Sequence, residues 1–126
     1  MITDVHTVAV PVADQDRAVA FFTGVLGFGT VLDAWIDETM RWVELAPAGA
    51  STSVALVAAG DARPAAVDTG IRFSTADAAA AHDSLRAAGV TVGELLRGEY
   101  APPMFTFDDP DGNRYYLVEL PKAGPG

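Results

Sequence analysis

The sequence predicts an α+β fold, two βαβββ modules forming a curved mixed sheet with a concave cavity. Three observations predict it. A short alternating strand, an amphipathic helix and a set of strand-like runs follow one another in that order, and the order occurs twice within 126 residues. The second occurrence echoes the first at an offset of 64 positions: Val5-His6-Thr7-Val8 lies against Thr69-Gly70-Ile71-Arg72, and Ser53-Val54-Ala55-Leu56 against Leu117-Val118-Glu119-Leu120. Each helix also has an aspartate placed to cap its start and a glycine placed to end it. A chain of this length suits a single domain with a sizeable core, module one covering about 3–60 and module two about 67–121.

The elements follow from local pattern. Residues 4–10 alternate as a strand, with His6, Val8 and Val10 on one face. The first helix starts at Asp14, carries Val19, Phe22 and Leu26 at helical spacing and stops at Gly27, which is free to adopt the left-handed conformation. Strands are expected near 29–37, 40–46 and 52–59, turned by Asp37-Glu38 and by Pro47-Ala48-Gly49-Ala50. Module two opens with a strand at 70–74 and a helix capped near Asp77, with Ala78, Ala81, Leu85 and Ala88 inward and Gly89 at its end. A strand at 91–96 leads into the loop Arg97–Pro103, then strands at 104–107 and 113–120 joined by Asp109-Pro110-Asp111-Gly112, a type I turn sequence. The tail Pro121–Gly126 is expected to fray.

Composition narrows the function classes. Half the residues are hydrophobic, which excludes a disordered chain, and the apolar runs are too short and interrupted to span a membrane. The start, Met1-Ile2-Thr3-Asp4, has neither the basic region nor the apolar core of a secretion signal, so a cytoplasmic location is expected. Without cysteine there is no disulfide framework and no thiolate site. A net charge of −9 repels nucleic acid, and no basic cluster offsets it. The acidity reads either as a preference for a cationic ligand or as ordinary solubility charge.

The opening Val5-His6-Thr7-Val8, the run Asp16-Arg17-Ala18-Val19-Ala20-Phe21-Phe22 leading into Val25-Leu26-Gly27-Phe28, the Ala87-Ala88-Gly89-Val90 step and the closing Asp109-Pro110-Asp111-Gly112-Asn113-Arg114-Tyr115-Tyr116-Leu117-Val118-Glu119 together resemble the vicinal oxygen chelate superfamily, over roughly residues 3–121. That group includes glyoxalase I, bleomycin-resistance proteins and extradiol dioxygenases. The resemblance implies paired βαβββ modules, commonly a homodimer, and a cavity lined by both modules. In metal-using members it implies His or Glu ligands from the first and last strands of each module. His6 and Glu119 match those positions; Gly70 stands where a second His is expected and Ala55 where glyoxalase I has a further carboxylate. A catalytic divalent metal needs about three protein ligands and an open position. Two matching residues fall short, so no cofactor is expected; any metal would fall to His6 and Glu119. Asp68 lies on the face of Gly70 but further along the strand, the facing of Glu44 is open, and His82 reads as a solvated or helix-packed residue.

His6 and Glu119 then read as a mutual hydrogen-bonded pair or as ligand contacts. If Glu119 points into the cavity, alternation takes Tyr115 and Leu117 with it and leaves Tyr116, Val118 and Leu120 toward the helix. Trp35 and Trp42, on adjacent strands, suit either a stacking wall for a flat ligand or a core or dimer interface. The loop bearing Tyr100, Pro102 and Pro103 reads as a lid or a plain connection, and Met104 as an adaptable pocket liner. The preferred expectation is a metal-independent protein that sequesters a small, aromatic molecule such as an antibiotic or toxin in a dimer cavity. Its contacts would be His6, Trp35, Trp42, Tyr100, Met104, Tyr115 and Glu119, with no catalytic residue. The alternative is a metal-dependent, glyoxalase- or dioxygenase-like lyase or isomerase using His6 and Glu119 to stabilise an enediolate.

Overall fold

The computed structural model of the chain describes residues 1–121; the expected fraying from Lys122 onward lies outside them. The chain divides into two compact units, Met1–Val67 with Pro110–Asn113, and Asp68–Asp109 with the chain from Arg114 onward. Each contains one four-stranded mixed sheet and the order βαβββ.

In the first unit the elements are β1 (Thr7–Val12), α1 (Gln15–Ala20), β2 (Gly29–Trp35), β3 (Arg41–Ala46) and β4 (Ser53–Ala58), with sheet order β1-β4-β3-β2. β1 runs parallel to β4, and β4, β3 and β2 are antiparallel neighbours. A parallel pair needs a long crossover, and the helix with its two following strands supplies it. Val10, Val12, Val43, Leu45 and Leu56 are fully buried beside Ala18 and Phe22. Burying each larger side chain of this set contributes about 1.5–3 kcal/mol. Asp14 caps α1 by accepting the Arg17 N–H. The helix does not continue regularly to Gly27: Phe21–Val25 form a π turn, closed by the Leu26 N–H on the Phe21 carbonyl. The widened turn seats Phe22 edge-on against both Phe21 and Phe28, at 5.7 and 5.2 Å between ring centres. Both predicted turns form: Asp37 accepts the Thr39 and Met40 amides, and the Ala50 N–H reaches the Pro47 carbonyl.

The second unit contains β5 (Asp68–Thr75), α2 (Ala78–Ala87), β6 (Thr91–Val92), β7 (Met104–Asp108) and β8 (Arg114–Glu119), in sheet order β5-β8-β7-β6. The strand expected over 91–96 shrinks to two residues, because the ladder with β7 stops after Val92 and resumes only as a bridge between Leu96 and Met104. Asp77 caps α2 through the Ala80 N–H. Asp77→Ala removes that acceptor and is expected to lower stability by about 1 kcal/mol, read from urea denaturation midpoints.

The repeat itself needs one correction. The two helix caps, Asp14 and Asp77, stand 63 residues apart. Val10 pairs with Leu56 in the first unit and Phe73 with Leu117 in the second, so the last strands are related by 61 residues. The difference is absorbed by a register shift in β5 between Asp68 and Arg72. Before that shift Thr7 pairs with Ser53 and Asp68 with Arg114, so His6 corresponds to Val67 and Glu119 to Ala58, instead of Gly70 and Ala55. An odd-numbered slip in a strand exchanges its two faces. The symmetric square of positions 6, 55, 70 and 119 therefore dissolves.

Candidate functional site

Glu44 sits in the middle of the first sheet, on the face opposite Val43 and Leu45, and its side chain is 7% exposed. A carboxylate so placed is costly unless its oxygens are paired. One oxygen accepts the Trp42 indole N–H at 2.7 Å, a contact made possible because residues two apart on a strand share a face. The other lies 2.7 Å from the Ser53 hydroxyl, which is also 2.7 Å from Thr7 Oγ1. Ser53 has one proton; it donates this to the carboxylate and accepts from Thr7. His6 Nε2 is 3.6 Å from the same oxygen, with its own side chain 79% exposed. The indole N–H holds the Glu44 pKa below the ordinary carboxylate range, Ser53 and the His6 charge add to this, and burial opposes them.

Next to this network is a cleft of about 350 Å³ lined by Gln15, Trp35, Met40, Arg41, Trp42 and Arg63 among others. That volume lies at the lower end of the range for small-molecule sites. Trp35 pairs with Arg41, and Trp42 with Ala34, so the two tryptophans come from alternate pleats of one antiparallel ladder. Trp35 is 65% exposed, whereas Trp42 is partly buried and anchored through its N–H. Gln15 is fixed from below, its amide donating to the Arg41 and Leu56 carbonyls at 3.0 and 2.9 Å. The Arg41 guanidinium is occupied by Asp16 and Asp33, at 2.7 and 2.8 Å.

The other expected site residues lie in the second unit. Tyr115 is fully buried. It stacks on Phe73 and Phe107, and its hydroxyl donates to Asp109 at 2.7 Å. It shares a face with Phe105, which packs against His82 of α2, so the facing expected for β8 is reversed. Glu119 follows the same face, and its carboxylate accepts the Ala78 N–H at the start of α2. That bond satisfies one of the amides a helix leaves unpaired at its N-terminus, where negative charge is favoured. Within its own unit His6 lies beside Glu44, and within the other Glu119 holds the Ala78 amide. His82 is helix-packed, its Nε2 2.8 Å from the Gly93 carbonyl.

Tyr116, expected to point toward the helix, instead occupies the other face. Its hydroxyl donates to Asp68 and its ring lies under Arg72, 4.2 Å from ring centre to guanidinium carbon. Met104 pairs with Val118 on that face and is partly buried, while Tyr100 is 95% exposed in the preceding loop. Sequence reasoning named both tryptophans, left the facing of Glu44 open and missed Arg63. The Trp42-x-Glu44 spacing carried the signal for Glu44, an indole N–H and a carboxylate on one pleat; Arg63, in the turn after β4, had none.

The donor chemistry does not fit a catalytic divalent metal at the expected residues. Glu119 is bound to a helix amide, and His6 and Glu44 supply two donors of the usual three. Among the described residues no group of three or more His, Asp or Glu side chains is arranged to hold a metal ion. No helix among them is long and apolar enough to cross a membrane.

Comparison with known proteins adds the following. The family model described as Glyoxalase/Bleomycin resistance protein/Dioxygenase superfamily matches residues 4–117. The uncharacterized protein YetH of Bacillus subtilis (strain 168) is 32% identical over 127 residues, spanning 94% of this chain and 100% of its own. A solved member of the same superfamily from Sphaerobacter thermophilus DSM 20745 is 36% identical with a TM-score of 0.89, over 94% of this chain and 98% of its own. TnmS3, an antibiotic binding protein from Streptomyces sp. CB03234, is 32% identical with a TM-score of 0.84, over 96% of this chain and 98% of its own.

Proposed function

The chain belongs to the glyoxalase/bleomycin resistance protein/dioxygenase superfamily, and we propose that within it the protein is a metal-independent binder that sequesters a small aromatic molecule, such as an antibiotic or another toxic natural product. The observation that carries this reading is the cleft lined by Trp35, Trp42 and Met40. Tryptophan offers a large apolar face at little conformational cost, and a thioether adapts to irregular ligand outlines. The superfamily includes antibiotic binding proteins, and the similarity to TnmS3 over nearly the whole of both chains supports the same class of ligand here. We place the protein in the cytoplasm as a homodimer. Val31, Leu32 and Ile36, exposed along and just beyond the edge strand β2, support association of two copies, since such an edge otherwise invites unspecific pairing.

The test uses tryptophan fluorescence. A neutral fused-ring aromatic, 2-naphthamide, is expected to quench the emission saturably and to be recovered chemically unchanged. Trp35→Ala and Trp42→Ala should each weaken binding about 10- to 30-fold, the usual loss for an aromatic anchor. Chemical conversion of a bound aromatic would sink sequestration. So would purified protein holding near one divalent metal per chain that His6→Ala removes.

A further inference from the structure

Among the described residues, the cleft also carries a cation without an ion-pair partner. Of its two arginines, Arg41 is committed to Asp16 and Asp33. Arg63 is exposed, lines the same cleft as Trp35 and Trp42, and forms no ion pair among the described residues; its backbone bonds across the turn to Gly60. That turn follows β4 and is closed on itself by two reciprocal amide–carbonyl bonds between Gly60 and Arg63, of 3.0 and 3.1 Å, so the backbone that carries the guanidinium is held in place. A planar guanidinium beside aromatic walls matches a ligand that combines a flat ring with an acidic oxygen, because it can offer two parallel N–H donors to a carboxylate.

We infer that the ligand of this cleft is an aromatic acid, its carboxylate or comparably acidic oxygen held by Arg63 while its ring lies against the tryptophans. The inference rests on the binding reading above and deepens it by naming the ligand's charge. It runs opposite to what the chain's total charge of −9 suggests. Distance decides between the two. The acidic surface acts from afar and is screened over about 8 Å at physiological salt, whereas Arg63 acts at hydrogen-bond range.

Three probes of one ring system test it by tryptophan quenching: 2-naphthoate, the neutral 2-naphthamide and 2-naphthylmethylammonium. Wild-type protein at physiological salt is expected to bind naphthoate about three- to tenfold more tightly than naphthamide, and the ammonium compound more weakly than either. Arg63→Gln should abolish the gap between acid and amide, lowering the acid's affinity several-fold more than the amide's. Arg63→Lys should restore part of the gap, as a point charge without the fork. Equal affinity for acid and amide in the wild type, tighter binding of the ammonium compound, or a gap that survives Arg63→Gln overturns the inference and leaves the binding reading standing. Failure of all three probes to quench a folded wild-type protein overturns both.

Discussion

Tyr115→Ala is expected to lower the free energy of unfolding by about 3–5 kcal/mol, the range for removing a large aromatic from a packed core. The side chain has no solvent exposure and sits between two rings, 5.7 Å from Phe73 and 5.3 Å from Phe107, with interplanar angles of 23° and 20°. Little can collapse into the space it leaves, because its neighbours are themselves rigid rings on paired strands. Tyr115→Phe separates the two contributions of the residue. It keeps the stack and removes the hydroxyl that donates to buried Asp109, so a loss of about 1–2 kcal/mol is expected. Urea denaturation of the two variants measures both. A loss below 1 kcal/mol for Tyr115→Ala would place the side chain at a surface, as the sequence-based facing of β8 requires, and would reject the packing described here.

That reversed facing marks how far the sequence was legible. Both βαβββ units, both aspartate caps and both hairpin turns of the first unit were readable because each has a local cause: a capping carboxylate, a residue suited to a turn, or an apolar period. The face of β8 has no such cause. Tyr115, Tyr116, Leu117 and Val118 are apolar or aromatic at both parities, so alternation does not distinguish the two sides. The facing is set instead by cross-strand partners, Phe107 opposite Tyr115 and Phe105 opposite Leu117, which belong to a strand several residues away in the chain. A repeat offset read from similar letters then misplaced Glu119 by an odd number of positions. The helix caps, spaced by 63 residues, were the better ruler, since a cap is tied to backbone geometry. The π turn was also illegible: its cause is the packing of Phe22 between Phe21 and Phe28, which no helical period encodes.

The site divides in the same way. Two tryptophans on adjacent strands were visible as a pair, and the structure brings both to one cleft. His6 was singled out for its ligand chemistry, yet its polar neighbour is Glu44 on β3, while His6 itself stands just before β1 and Ser53 begins β4. Pairings of this kind depend on sheet order, β1 beside β4 and β4 beside β3, which is a property of the assembled unit. A total of −9 describes the far field of the molecule and does not say which charged side chains line a cleft.

Glu44→Ala is expected to cost about 1–3 kcal/mol, because it strands the Trp42 indole N–H out of water, while the Ser53 hydroxyl turns its proton to Thr7 Oγ1. Glu44→Gln should cost about 1 kcal/mol. The amide oxygen still accepts the indole N–H, and the Ser53 hydroxyl rotates to accept from the amide nitrogen, so both partners stay satisfied and only the charge-assisted part is lost. The comparison also fixes the pH dependence. The folded-state pKa of Glu44 is held below its ordinary value of 4.5, chiefly by the indole N–H. The ionised carboxylate therefore stabilises the fold above that ordinary value, and the contribution is lost as pH falls through the lowered folded value. Other carboxylates with lowered pKa values, Asp33 among them, share this window, so the difference between wild type and Glu44→Gln isolates one group. That difference should be constant near neutrality and shrink in acid. Trp42 reports the same network optically: with its N–H unanchored in Glu44→Ala, its emission should shift and its ligand affinity should fall, while Glu44→Gln retains both. Equal losses in the alanine and glutamine variants would mean that charge alone holds the network together, and the pairing of indole and hydroxyl with Glu44 would then carry no weight in shaping the cleft.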